Sequence, residues 1–137
     1  MNLAVAREMA VDPATVWELL VDTAQWPRWG PSVRDVDLPG GRLTAGAEGR
    51  VRTAVGLWLP FRVSAFDEGR SWSWRVAGVP ATSHLVEPVP GGCRVEFGVP
   101  LAVTPYAAVC QEALRRIERA ALPHEPRAEE RADAHDR

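Results

Sequence analysis

The sequence predicts an α+β fold: a seven-stranded, mainly antiparallel sheet packed on one long C-terminal helix, with two short helices after the first strand. Three observations predict it. A capped, proline-started helical stretch follows the first alternating run, at Asp12 to Pro31. Alternating apolar and polar residues with short Gly- or Pro-bearing connections then continue to Val99. A last stretch, Thr104 or Pro105 to Leu122, carries an apolar stripe at helical spacing and is stopped by Pro123.

Leu3 to Val11 alternates, with Leu3, Val5, Met9 and Val11 on one face and Arg7 in the middle of that same face. Asp12 is placed to cap a helix, and Pro13 suits its first position because it has no N–H to leave unpaired. Val16, Leu19 and Leu20 give that helix an apolar face. Asp22 to Trp29 is a second short helix or tight turn, closed by Gly30-Pro31, in which Trp26 and Trp29 share a face. Strands follow at Val33–Leu38, Gly49–Val55, Leu57–Phe66, Ser71–Val76, Ala81–Glu87 and Cys93–Val99. Pro60 suggests an edge position or a local irregularity in the third of these. In the final helix Tyr106, Cys110, Ala113, Ile117 and Ala120 form the stripe, with Thr104 as the expected cap.

At 137 residues one domain is expected, spanning 1–122, with a polar, charged tail at 123–137 expected to be disordered. Residues 1–122 carry thirteen acids and thirteen arginines, so the predicted domain is formally neutral and gives no whole-protein attraction to nucleic acid. No lysine occurs, which excludes Schiff-base and phosphate-loop lysine chemistry in this chain. Cys93 and Cys110 have no metal or redox spacing, and His84, His124 and His135 are not spaced as ligands, so no metal or cofactor is expected. No apolar run is long enough for stable membrane insertion. The first residues lack a basic region followed by an apolar core. The expectation is a cytoplasmic protein with free thiols, monomer or homodimer.

The order of strand, two short helices, six strands and long helix resembles the START-like or Bet v 1-like (SRPBCC) helix-grip fold. The stretch VDPATVWELLVDTAQWPRWGPSV resembles its polyketide cyclase/dehydrase-like family in particular, through Asp12-Pro13, Val16-Trp17, Leu20-Val21-Asp22 and Trp26 to Pro31. The resemblance covers roughly residues 2–122. It implies a curved sheet around the long helix, with a cavity between them for a hydrophobic or aromatic small-molecule ligand. Small residues on the helix stripe, Cys110 and Ala113, would face Trp72, Trp74, Phe61 and Phe97 on the sheet, and with His84 these are the candidate ligand-binding residues.

Candidate catalytic residues are His84, Arg7 and Tyr106. His84 shares the inner face with Val86 if Glu87 faces water; there it would bond a ligand carbonyl, shuttle a proton, or sit in the core bonded to backbone. Arg7 on an apolar face would hold an anionic ligand group or snorkel to water. Tyr106 begins the helix stripe and would reach the pocket mouth or cap the core. Asp35 is a further polar candidate whose facing the pattern leaves open. Trp17, Trp26 and Trp29 are read as packing the short helices on the sheet, and Cys110 as a buried thiol. The function classes are thus an acid/base enzyme with polyketide cyclase or dehydratase chemistry, a non-catalytic carrier or sensor of a lipophilic metabolite, and an interaction domain with a collapsed cavity.

Overall fold

The computed structural model describes residues 2–122; the expected disordered tail, 123–137, lies outside the described residues. Seven strands form one antiparallel sheet: β1 (Asn2–Met9), β2 (Val33–Asp37), β3 (Glu48–Thr53), β4 (Trp58–Asp67), β5 (Ser71–Val76), β6 (Val79–Val89) and β7 (Gly92–Pro100). Their order is β1-β7-β6-β5-β4-β3-β2. Consecutive strands from β2 to β7 are neighbours, and β1 pairs with the last of them, so the short helices carry the chain between the two edges. The helices are α1 (Pro13–Val21), α2 (Trp26–Trp29) and α3 (Ala107–Ala121). This is the helix-grip arrangement.

The notch between β1 and β2 is built from local chemistry. The Asp12 carboxylate accepts from the backbone N–H of Ala14 at 2.9 Å, and Pro13 opens α1. The C-terminal carbonyls of a helix lack partners within it. Here the Trp26 indole donates to the Leu20 carbonyl at 2.8 Å and the Trp29 indole to the Leu19 carbonyl at 2.7 Å. The two tryptophans thus fasten α2 to the end of α1 and drive their rings into the core, where both are buried.

Alternation sets the inner face. Cys93, Val95, Phe97 and Val99 of β7 are buried, as are Thr82, His84 and Val86 of β6. Cross-strand register then aligns Val5, Phe97, His84 and Trp72 in one row over four strands. Cys110, Ala113, Leu114, Ile117 and Ala121 of α3 are buried with them.

Two local expectations are corrected. β4 is an interior strand, so Pro60 does not mark an edge; it pairs in regular register with Arg50, and the irregularity in β4 falls at Val63/Ala65, on the β5 side. Thr104 does not cap the long helix: Leu101–Tyr106 is a separate 3-10 segment, the Thr104 hydroxyl donates to the Leu101 carbonyl at 2.6 Å, and α3 starts at Ala107.

Candidate functional site

Two adjoining spaces, which share five lining residues, lie between the sheet and the segments that cover it. The inner one sits between α3 and the Trp72–His84–Phe97 row, with Trp26 and Trp29 closing it from the notch. Its free volume is only about 30 Å³, roughly one water molecule. Aromatic packing explains why. Trp26 stacks on Trp72 with ring centres 5.5 Å apart and planes 5° apart, Trp72 lies over His84 at 3.8 Å, and Phe97 meets His84 edge-on at 4.7 Å.

The outer space is an open apolar groove of about 410 Å³, lined by Val51, Val55, Val76, Val79 and Val103 among others. Ser32, Val33, Trp74, Thr82 and Tyr106 line both spaces. The Tyr106 hydroxyl is hydrogen-bonded to the Ser32 hydroxyl, so a bridge from the 3-10 segment to the start of β2 stands where groove and interior meet. Burial raises the Tyr106 pKa, and the Ser32 hydrogen bond only partly opposes this.

The polar groups at the floor form one chain. The Trp74 indole donates to the Thr82 hydroxyl oxygen at 3.0 Å. The Thr82 Oγ1 is 3.0 Å from His84 Nε2, and His84 Nδ1 is 3.2 Å from the Trp72 carbonyl. A carbonyl only accepts, so Nδ1 carries the proton, Nε2 is the acceptor, and the Thr82 O–H points to it. Each nitrogen of the ring is engaged. Burial pushes the His84 pKa down to about 3, with the Trp72 carbonyl acting in the opposite direction. The Trp72 indole nitrogen is the exception: it is buried without a hydrogen-bond partner.

Of the residues expected from sequence, Trp72, Trp74, Phe97, His84, Tyr106, Cys110 and Ala113 come together around the inner space. Phe61 does not: it is buried against the rings of Trp26 and Trp74, at 5.7 and 5.5 Å, and lines neither space. Arg7 does not either. It reaches across the flank of α3 to Glu118, 2.7 Å away, and is partly exposed there. Its partner is a helix carboxylate, so it offers no cation to the interior. Asp35 is exposed, and its carboxylate accepts from the Val36 N–H. Cys110 is buried, and burial raises its pKa to about 11.

Sequence reasoning did not select Thr82, Ser32, Trp26 and Trp29 as lining residues. Thr82 had a signal, since it lies two residues before His84 on one strand and so shares its face. The tryptophans had another, since three-residue spacing in a helical turn points both rings one way. Ser32 had none, because its place is set by the fold of the loop.

The comparisons agree with this architecture. Residues 2–122 match the family model described as polyketide cyclase / dehydrase and lipid transport. Uncharacterized proteins of Mycobacterium tuberculosis and Mycobacterium bovis are 30% identical over 99 residues, which is 66% of this chain and 59% of theirs. The chain therefore spans about three fifths of the length of these curated relatives. Among solved structures, the protein XoxI from Bacillus cereus superposes with a TM-score of 0.69 at 18% identity, covering 90% of this chain and 99% of that one. Ara h 8.0201 superposes with a TM-score of 0.66 at 16% identity, covering 88% and 97%. These structures share the fold. The match over nearly the whole chain shows that it belongs to the polyketide cyclase / dehydrase and lipid transport family.

Proposed function

We propose that the protein binds a neutral, largely apolar small molecule, seated in the groove with one end at the Trp74–Thr82–Tyr106 neck, and that it carries or senses this molecule without transforming it. The observation that carries the reading is the groove itself. Its roughly 410 Å³ falls in the range of small-molecule sites, which are mostly apolar with few placed polar groups. Trp72, whose buried indole N–H has no partner, lines the inner space and not the groove, so a ligand whose ketone or quinone oxygen reaches past the neck would be favoured.

Binding is favoured over acid/base chemistry by the state of the three catalytic candidates. His84 is neutral with both ring nitrogens engaged. Arg7 is paired outside the interior. The Tyr106 hydroxyl has a raised pKa and a serine partner. A general base needs a free lone pair within reach of the substrate and a pKa near the working pH, and none of the three offers both.

The test is a panel of planar aromatic ketones and quinones, followed by isothermal titration calorimetry and tryptophan fluorescence. The expected result is saturable binding with quenching, abolished in Ala81→Trp, which fills the groove. Saturable binding that survives Ala81→Trp unchanged removes the groove as the site. The 30 Å³ interior favours one second reading, a domain that makes protein contacts with its cavity closed. Failure of the whole panel would select it.

A further inference from the structure

We propose that the face around the open groove docks on anionic lipid bilayers, an interaction that goes beyond small-molecule binding and does not depend on it. Four segments build this face: the loop into β2 (31–34), the β3–β4 hairpin tip (52–58), the β5–β6 hairpin tip (75–81) and the 3-10 segment after β7 (101–106). Their tips present large apolar side chains to solvent. Val55 is 87% exposed and Val79 61%, and Leu57 and Val103 are exposed as well. Apolar residues clustered this way on a folded domain mark an interaction surface.

Charge selects the partner. The same four segments contain Arg34, Arg52 and Arg75 and no acidic residue. Among the described residues none of these arginines pairs with a carboxylate. Two of them are instead held at the tips by backbone: Arg52 Nε donates to the Gly56 carbonyl and Arg75 Nη1 to the Gly78 carbonyl, each at 3.4 Å. A Cβ on Gly56 would lie 3.6 Å from the Arg52 guanidinium and 3.9 Å from that of Arg34, so two of the cations share one tip. The nearest carboxylate along the chain, Asp35, is turned to the Val36 N–H. In a domain whose thirteen acids and thirteen arginines cancel, one face is thus wholly cationic and tipped with valine and leucine.

That combination fits a surface with anionic headgroups above acyl chains. The arginines meet phosphate and the valines pass below it, as in interfacial binding without spanning. Docking there places the open groove against the bilayer, the phase in which an apolar ligand is most concentrated.

The experiment is flotation of the ligand-free protein with vesicles of phosphatidylcholine plus phosphatidylglycerol, against phosphatidylcholine alone. The expected result is co-flotation with the anionic vesicles only, weakening as salt is added. Arg34→Gln and Arg75→Gln each weaken binding about fivefold, from the typical contribution of one cation at such a surface. Val55→Asp and Val79→Asp, both at exposed tips where folding is not at stake, weaken it further, whereas Arg62→Gln outside the face leaves it unchanged. No flotation, equal flotation with both vesicle types, or wild-type binding by all four tip variants overturns the proposal. So does a concentration-dependent dimer in sedimentation that Val55→Asp abolishes, because a second copy then covers the face. A failed small-molecule panel with intact flotation refutes only the ligand reading.

Discussion

Burial of His84 makes the stability of this protein depend on pH below neutrality. Its ring is buried and its pKa falls from 6.5 to about 3. The unfolded chain takes up a proton at His84 near pH 6.5, and the native state does not until near pH 3. Within that window the unfolded state binds more protons, so stability rises with pH and is lost as pH falls from 6.5 toward 3. Between pH 7.5 and pH 5 one such site removes about 2 kcal/mol, from 1.36 kcal/mol per unit below the unfolded value. For a domain of this size that corresponds to roughly 8 °C in Tm.

The assay is urea unfolding followed by tryptophan fluorescence at several pH values in that range, for the wild type and His84→Gln. Glutamine retains one donor and one acceptor for the Thr82 and Trp72 groups but does not titrate. Contributions common to both proteins, including those of carboxylates and of His124 and His135, cancel in the difference. Between pH 7.5 and pH 5 the wild type is expected to lose about 2 kcal/mol more than the variant. Equal slopes in the two proteins refute the argument. If His84→Gln fails to fold, nitrogen-15 spectra of the wild-type imidazole decide it: the ring must stay in the Nδ1–H form to below pH 5, and a midpoint near the ordinary histidine value sinks the reasoning.

Two further outcomes are expected. Both cysteines are buried and burial raises both pKa values, that of Cys110 to about 11; a thiol reagent at neutral pH should therefore label neither in the native protein and both in urea, and rapid native labelling of Cys110 would show that α3 lifts from the sheet. At the β5–β6 tip Ala77 has φ 52° and Gly78 φ 79°, a two-residue hairpin turn that asks for positive φ at both positions. Alanine is disfavoured there, so Ala77→Asn should stabilise by about 0.5–1 kcal/mol in urea melts, and a loss of stability would contradict the turn.

How far the sequence foretold this site follows from which facts are periodic. Strand alternation placed His84, Phe97 and Trp72 on the inner face because facing has period two and a short loop fixes register. The same alternation put Phe61 and Arg7 on the inner face, and their phase was right, yet neither lines the site. Phe61 lies under Trp26 and Trp74, and Arg7 sits on edge strand β1 where its guanidinium passes the helix to meet Glu118. Phase gives the face; position across the sheet and the side chains that cover it are long-range facts with no local pattern. The filled interior is of that kind, since it depends on two indoles delivered by hydrogen bonds to the end of α1. The cationic face was hidden differently. Summing charge over 1–122 gives zero, and only the fold shows that four acid-free segments meet at one end.

The two proposals share a physical logic in where charge is kept. Among the described residues the interior contains a histidine, a threonine and indoles but no ionised group: a ring with a pKa of about 3 is neutral throughout the physiological range. Replacing it with leucine would satisfy burial more cheaply, since a buried polar ring requires partners. What the relay adds is direction. Trp74 and Thr82 are locked to His84, so the rings at the neck hold one orientation. A neutral, rigid floor does not compensate the desolvation of a charged ligand, which costs several kcal/mol without a counter-ion. The proposed ligand is accordingly uncharged, selected by shape and by one acceptor. The arginines, in turn, stand at the rim, where water and phosphate reach them without desolvation. On these two proposals, charge serves to choose the surface, and its absence inside to choose the molecule. A carboxylic acid that bound as tightly as its methyl ester in such titrations would break that division, because no residue that lines the groove or the inner space carries a charge.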